Sequence, residues 1–291
     1  MPYLPRSGYE TKYGDLCNEK VVRNALEGIT DVVLLAGLVG DPITKKYKEE
    51  SKKVNDDGVK SCIKQLNGLG IKSFVFVSTC SNYGLIESEQ LADENFELKP
   101  LSLYAHSKVA TEKYIMSLRG KVDYTPTILR FATAFGLSTR MRFDLTVSEF
   151  TRELALGREL LVYDSHTWRP YCHVQDFGRL IDIVFCAPAN KVAYEVFNAG
   201  GEVNNYTKQG IVDAIIEQLP NAKVKYQEHG SDPRNYRVDF SKVRKILDFK
   251  PKFSVSDGIH ELLNALDNHV FDNVDQNWGM YGNYKIESFE K

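Results

Sequence analysis

The chain has 291 residues, a formal net charge of −2 and five cysteines. That length holds one large domain or two modest ones with apolar residues enough for a core, and the near-neutral charge gives no reason to expect nucleic acid or an anionic membrane as a partner. Cys17, Cys62, Cys80, Cys172 and Cys186 are scattered without CxxC or Cys/His ligand spacing, so reduced thiols, no metal site and a cytoplasmic location are expected.

The opening, MPYLPRSGYETKYGD, has no apolar signal core. The longest apolar run, VVLLAGLVG at 32–40, falls far short of the roughly 20 residues that cross a bilayer. DVVLLAG (31–37) reads as a buried strand, and SKKVNDDGVKSCIKQLNGLG (51–70) as a helix closed by glycine. SFVFVST (73–79) is a second buried strand. A loop follows, then the helix of SLYAHSKVATEKY (102–114), then YTPTILRFATAFG (124–136) as a third strand. Apolar strands separated by helices predict a parallel sheet covered on both faces. Beyond about Met141 the pattern is mixed. TVSEFTRELALG, VQDFGRLIDIVFCA, YTKQGIVDAIIEQL and FSKVRKILDF read as helices, and ELLVYD and EVFNAGG as strands. The expected fold is α/β: a doubly wound, Rossmann-like parallel sheet in 1–140, and a smaller α/β substrate lobe in 141–291 with some segments returning to the main sheet.

The start is unusual for such a sheet. A dinucleotide-binding domain opens with a strand, a Gly-rich turn and a helix whose N-terminus holds the pyrophosphate. Neither G-x-G-x-x-G nor G-x-x-G-x-x-G occurs in this sequence. The dinucleotide-binding domain is therefore expected to be N-terminally incomplete. A truncated or misassigned start, a partner chain covering the sheet edge, and a real loss of cofactor binding each account for this, and the first is favoured.

The chemistry centres on Tyr104 and Lys108. At i and i+4 of a helix they lie side by side, and a neighbouring ammonium favours phenolate, making tyrosine a usable general base near neutral pH. With sixteen tyrosines in the chain, about one such spacing arises by chance from ordinary composition. The context strengthens the pair. Ser78 and Thr79 end a buried strand, at the side of a doubly wound sheet where ligands bind. Taken alone, Thr79 is better read as a strand-end residue capping a turn.

Together these segments resemble the extended short-chain dehydrogenase/reductase family, in its NAD-dependent sugar-nucleotide epimerase/dehydratase branch. YGDLCN resembles the pair, Asp15 and Leu16, at the adenine end of the cofactor. LLAGLVG resembles the turn whose backbone at Ala36, Gly37 and Leu38 lies beside the cofactor, and KVNDDGV the helix that puts Asn55 near the active site. STCSNYG implies Thr79 as the catalytic hydroxyl, Ser78 beside the cofactor, and Cys80 and Ser81 beside substrate. YAHSK supplies Tyr104 and Lys108. LRFATAFG implies Phe131 near nicotinamide and Thr133 near substrate, while RPYCHVQDFGRLI and DPRNYRVDFSKVRKILDFKP imply Arg169 and Arg234 as diphosphate contacts. Guanidinium groups suit that role through their forked donors. His173 is expected to hold the Arg169 loop, Asp176 to serve the first turn of its helix, and Cys172 and Cys186 to be core residues.

The resemblance implies a nucleotide-sugar substrate, NAD (with NADP open), and a homodimer through a four-helix bundle built from KVNDDGVKSCIKQL and YAHSKVATEKYIMSL. Dehydratases of the branch carry an Asp–Glu pair directly after the catalytic threonine; Cys80 and Ser81 stand there instead, which favours epimerisation. A non-catalytic or cofactor-deficient binding protein on the same fold, and an NAD(P)-linked sugar reductase, are the alternatives. The sugar and its epimerised carbon depend on the loop around STRMRFD (138–144) and are not legible in these residues.

Overall fold

A computed structural model describes residues 8–86, 89–230, 232 and 234–282. Its strands are β1 (Asp31–Leu34), β2 (Ser73–Thr79), β3 (Leu91–Ala92), β4 (Thr125–Phe131), β5 (Thr133–Phe135), β6 (Leu160–Tyr163), β7 (Trp168–His173), β8 (Glu195–Ala199), β9 (Asn205–Thr207), β10 (Val224–Gln227) and β11 (Arg237–Val238).

The main sheet has the order β1-β2-β4-β8, and every pairing in it is parallel. Alternation along the strands explains why both faces are covered. Phe74, Phe76 and Ile128 point to one side, where helices Glu19–Leu26, Val59–Gln65 and Leu103–Ser117 close over them. Val75, Leu129 and Phe197 point to the other, under helix Val174–Cys186. A β-branched and aromatic strand buried on both faces is what a parallel sheet requires. The fold is therefore a Rossmann-like α/β sheet. The outer edge of β1 has no strand partner among the described residues. No helix among them is long and apolar enough to cross a membrane.

Several segments differ from the sequence reading. The run 124–136 is two strands, because Ala132 donates its amide to the Ala199 carbonyl at 3.1 Å and the chain then leaves the main sheet. β5 goes on to pair with β7, which pairs antiparallel with β9. The helix after β1 is interrupted by a π-helical stretch, Lys52–Gly58, that centres on Asn55. Helix Glu19–Leu26, capped by the Asn18 side chain, and helix Val255–Asp267, which starts with a Ser254/Asp257 capping box, were not anticipated. A third core around Phe135, Val147, Phe150, Ile211 and Ile259 lies beneath β5–β7 and β6–β10. Cys172 is buried as expected, but Cys186 is exposed at the end of its helix.

Candidate active site

Helix Leu103–Ser117 starts at Ser102, whose side chain accepts from the Ala105 amide. It is not a simple amphipathic helix, because Lys108, Thr111 and Glu112 face inward together with Ala105, Val109 and Ile115. Buried charges at such positions require partners. Lys108, 8% exposed, donates Nζ to the Val77 carbonyl at 2.7 Å. The same ammonium lies 4.7 Å from the Phe76 ring centre and 5.7 Å from that of Tyr104. Burial pushes its pKa down to about 8, and the Glu112 carboxylate opposes that shift. Tyr104 and Lys108 therefore do meet, at the C-terminal end of β2.

Thr79 is the last residue of β2 and is half-buried. Its Oγ1 accepts from the Ser81 amide at 3.1 Å, capping the short 3-10 turn Cys80–Tyr83. The capping role is thus real, and because the amide donates to Oγ1, the hydroxyl proton stays available for donation.

Three of the expected contact residues are buried. The Ser78 hydroxyl, 2% exposed, donates to Glu112 Oε1 at 2.5 Å and faces the interior. Cys80 is buried, with Sγ donating to the Arg130 carbonyl at 3.0 Å, and burial pushes its thiol far above the usual range. Phe131 is buried with its ring centre 3.9 Å from that of Phe177, a core contact.

Asn55 is buried and spends both ends of its amide on the turn after β1, accepting from Leu38 N at 2.8 Å and donating to Leu38 O at 3.0 Å. Gly37 has φ +154°, and a Cβ there would lie 2.9 Å from Asn55 Oδ1. Asn55 thus positions the backbone of residues 36–38, while Ala36 is exposed. Asp15 accepts from the Cys17 amide at 2.9 Å, and Leu16 packs on the core under the helices. Cys17 reaches the Lys53 carbonyl at 3.5 Å, which brings this segment beside the Asn55 stretch.

Arg169 and Arg234 come together, although far apart in sequence. Both hold Asp232: Arg169 Nη2 at 3.1 Å, and Arg234 through Nε and Nη2 at 2.8 and 2.9 Å. The Arg169 guanidinium also lies 5.2 Å from the Tyr236 ring centre, and the Tyr236 hydroxyl is 3.4 Å from Ser81 Oγ. A chain of contacts therefore runs from Thr79 through Ser81 and Tyr236 to the arginine pair. Thr133, half-buried, opens β5 opposite Tyr171.

His173 is fully buried, sharing a hydrogen bond with Glu261 at 3.0 Å and stacking on Phe253, so it is structural. Asp176 does more than serve its own helix turn: it accepts from the amides of Lys252 and Phe253 and fixes that crossing loop.

The sequence reading missed a buried network behind Thr79 and Lys108. Glu112 accepts from Ser78, Asn82 and Arg130, and the other arm of Arg130 donates to the Tyr83 hydroxyl, which donates to Asn198. A charged arginine in the apolar run TILRF was its one visible signal. Asp232, three residues beyond His229, had none.

In chemical terms, a buried ammonium beside a phenol, with a hydroxyl at the strand tip, presents donors and a proton acceptor to an alcohol. Two clustered guanidinium groups nearby suit a phosphate anion.

A family model described as the NAD dependent epimerase/dehydratase family matches residues 4–200. The chain is 29% identical over 195 residues to an uncharacterised UDP-glucose epimerase, YtcB, of Bacillus subtilis, covering 65% of this chain and 58% of that protein. It thus spans less than two thirds of that relative's length. It is 24% identical over 259 residues to a UDP-glucuronate 4-epimerase of Thermodesulfobacterium geofontis, covering 86% of this chain and 77% of that one. Among solved structures, the UDP-glucose 4-epimerase of Thermotoga maritima with UDP-glucose superposes with a TM-score of 0.78 at 22% identity, over 88% of this chain and 84% of the other.

Proposed function

The chain belongs to the NAD-dependent epimerase/dehydratase family, and from that premise we propose that it epimerises a nucleotide-activated sugar with NAD as cofactor. The observation that carries this reading is the buried Lys108 ammonium, placed between the Val77 carbonyl and the Tyr104 ring at the end of β2.

The donor set fits the nicotinamide-ribose part of NAD. Lys108 has three N–H donors, one of them on Val77, and the backbone of the glycine-bearing turn 36–38 is fixed by the Asn55 side chain. Tyr104, Lys108 and the 36–38 backbone would hold the cofactor. NAD, when bound, would supply reversible acceptance of hydride from the carbon whose hydroxyl is deprotonated.

The remaining steps fall to the protein. Tyr104 takes the proton from that hydroxyl and returns it after the sugar has turned over. Lys108 supplies the positive charge that favours the phenolate during the transfer. Thr79 donates to the same sugar oxygen and orients it. Arg169 and Arg234 hold the diphosphate, with Ser81 and Tyr236 lying between them and Thr79. No carboxylic acid stands at Cys80 or Ser81 to protonate a leaving hydroxyl, which supports epimerisation over elimination of water. The same reading includes a homodimer. Leu103, His106, Ala110, Lys113 and Met116 form an exposed stripe on the Tyr104 helix that would meet its copy, beside the Asn55 helix, in a four-helix bundle.

The test supplies the purified protein with NAD and a panel of UDP- and dTDP-sugars and follows C–H stereochemistry by proton NMR. Conversion without net change in NADH absorbance, lost in Tyr104→Phe, is the expected result. Stoichiometric NADH formation with NAD, or NADH consumption when NADH is supplied in its place, instead assigns a net oxidoreductase, and an unreactive panel, with Tyr104→Phe indistinguishable from wild type, overturns the enzyme reading.

A further inference from the structure

The arginine pair is held by the protein's own carboxylate. Asp232 takes a two-pronged grip from Arg234, receives the Arg234 backbone amide at 3.1 Å, and receives Arg169 Nη2 on the same oxygen that Arg234 Nη2 uses. Hydrogen bonds from Arg234 and the charge of Arg169 outweigh a burial penalty, and the Asp232 carboxyl lies far below the usual carboxylate range. It is thus an anion at every ordinary pH.

The partners differ in freedom. Arg169 is 7% exposed, donates Nη1 to the Trp168 carbonyl at 2.7 Å, and lies against Tyr236. Its guanidinium is fixed from behind. The Asp232 side chain is 36% exposed and reaches the site from outside the strands. Lys208 adds a third cation to the field, its pKa lowered by burial and by Arg169, with Nζ on the Tyr163 carbonyl at 2.7 Å. Asp164 and Glu149 also lie in the field of Lys208, and the Asp164 oxygens accept from the His229 and Gly230 amides at 2.8 Å each. Two guanidinium groups therefore share the Asp232 carboxylate, and the Lys208 ammonium acts on it electrostatically.

We propose that Asp232 is an internal counter-anion that a nucleoside diphosphate displaces from Arg169 and Arg234, so that this one side chain sets the affinity of the site and its preference for diphosphate over weaker anions. The proposal rests on the assignment of these arginines to a diphosphate. A carboxylate offers two oxygens and one charge; a diphosphate offers more oxygens and more charge to the same forked donors. Displacement is therefore favourable for a diphosphate and unfavourable for an anion no stronger than the carboxylate itself. If Asp232 merely braced the arginines for the ligand, its removal would loosen binding, so the sign of the effect separates the two roles.

The experiment is calorimetric titration of the full chain, without NAD, with UDP, inorganic pyrophosphate and acetate. Asp232→Asn is expected to bind UDP and pyrophosphate about tenfold more tightly than wild type and to gain measurable affinity for acetate. Asp232→Ser, which removes the carboxylate with a different side chain, is expected to shift binding in the same direction, with circular dichroism confirming that both variants are folded. Arg169→Gln is expected to weaken pyrophosphate binding in either background. Unchanged or weaker diphosphate binding in both folded Asp232 variants overturns the proposal. Because pyrophosphate binding needs neither cofactor nor Tyr104, tightening in Asp232→Asn upholds the counter-anion even where the wild-type protein with NAD converts no sugar and the epimerase reading fails.

Discussion

Glu112 and Arg130 meet in the interior with Oε2 and Nη2 2.7 Å apart and with side chains 5% and 6% exposed. Such a pair is stable only when every remaining donor and acceptor is also met. Here Ser78 and Asn82 complete the carboxylate, and Tyr83 receives the second guanidinium arm at 3.0 Å. The pair joins the Tyr104 helix to β4, and Ser78 ties in the last turn of β2. The proposed catalytic positions therefore stand on a buried polar network.

Removing one member of that pair strands the other charge. Glu112→Ala is expected to lower stability by about 3–5 kcal/mol, read as a shift of the urea midpoint at unchanged slope. Ser78→Ala deletes only one neutral donor to the carboxylate and is expected to cost about 1–2 kcal/mol. Equal midpoints for Glu112→Ala and wild type would show the pair to be dispensable.

The Thr79 hydroxyl caps the Ser81 amide and is proposed to orient the sugar oxygen, and stability and activity read the two roles apart. Thr79→Val loses the Oγ1 cap on the Ser81 amide, expected at about 0.5–2 kcal/mol, together with the hydroxyl that orients the sugar oxygen. Thr79→Ser keeps both. Epimerase activity is expected to fall about 100-fold or more in the valine variant and to stay near wild type in the serine variant. Activity retained in Thr79→Val, in a protein whose thermal midpoint has fallen, would leave Thr79 with its cap alone.

The sheet was legible because its strands are short, β-branched and apolar throughout, and glycine or polar turns separate them from the helices. Tyr104 and Lys108 were legible because helical spacing alone makes them neighbours. What spacing could not reveal was which neighbouring side chains turn inward. Ser78, Cys80 and Phe131 sit beside functional positions in sequence, yet the alternation of β2 and the close fit of β4 under Phe177 put them in the core. Asp232 escaped notice for the opposite reason. Its significance exists only once β7 and the segment before β11 bring Arg169 and Arg234 to one point, a relation between residues more than sixty positions apart.

Asn55 acts on the turn after β1 through two hydrogen bonds to one residue, Leu38. Asn55→Ala frees the backbone of 36–38 and is expected to lower stability by about 1–3 kcal/mol and to weaken NAD binding about tenfold, measured by fluorescence titration. Gly37→Ala reaches the same turn from the other side: its φ of +154° is strained for alanine, and the added Cβ would meet Asn55 Oδ1 at 2.9 Å. NAD affinity unaffected by either variant would remove the turn from the cofactor site.

Lys108 gives the molecule a pH dependence with a definite sign. Its pKa is about 8 in the folded protein and about 10.4 in an unfolded chain. Between those values the unfolded state binds more protons, so this side chain makes stability rise with pH from about 8 to 10.4 and contributes no slope below 8. Lys108→Met removes the buried charge. Its advantage in stability over wild type is expected to be greatest below pH 8, on the order of 3 kcal/mol, and to shrink as pH climbs toward 10. Catalysis runs the other way, because the ammonium that supports the Tyr104 phenolate loses its proton above about pH 8. The wild-type rate is therefore expected to fall on an alkaline limb near pH 8, and Lys108→Arg, which stays charged, to lack that limb even if its rate is lower throughout. An alkaline limb left in place by Lys108→Arg would assign the titration to another group and separate Lys108 from the proton transfer.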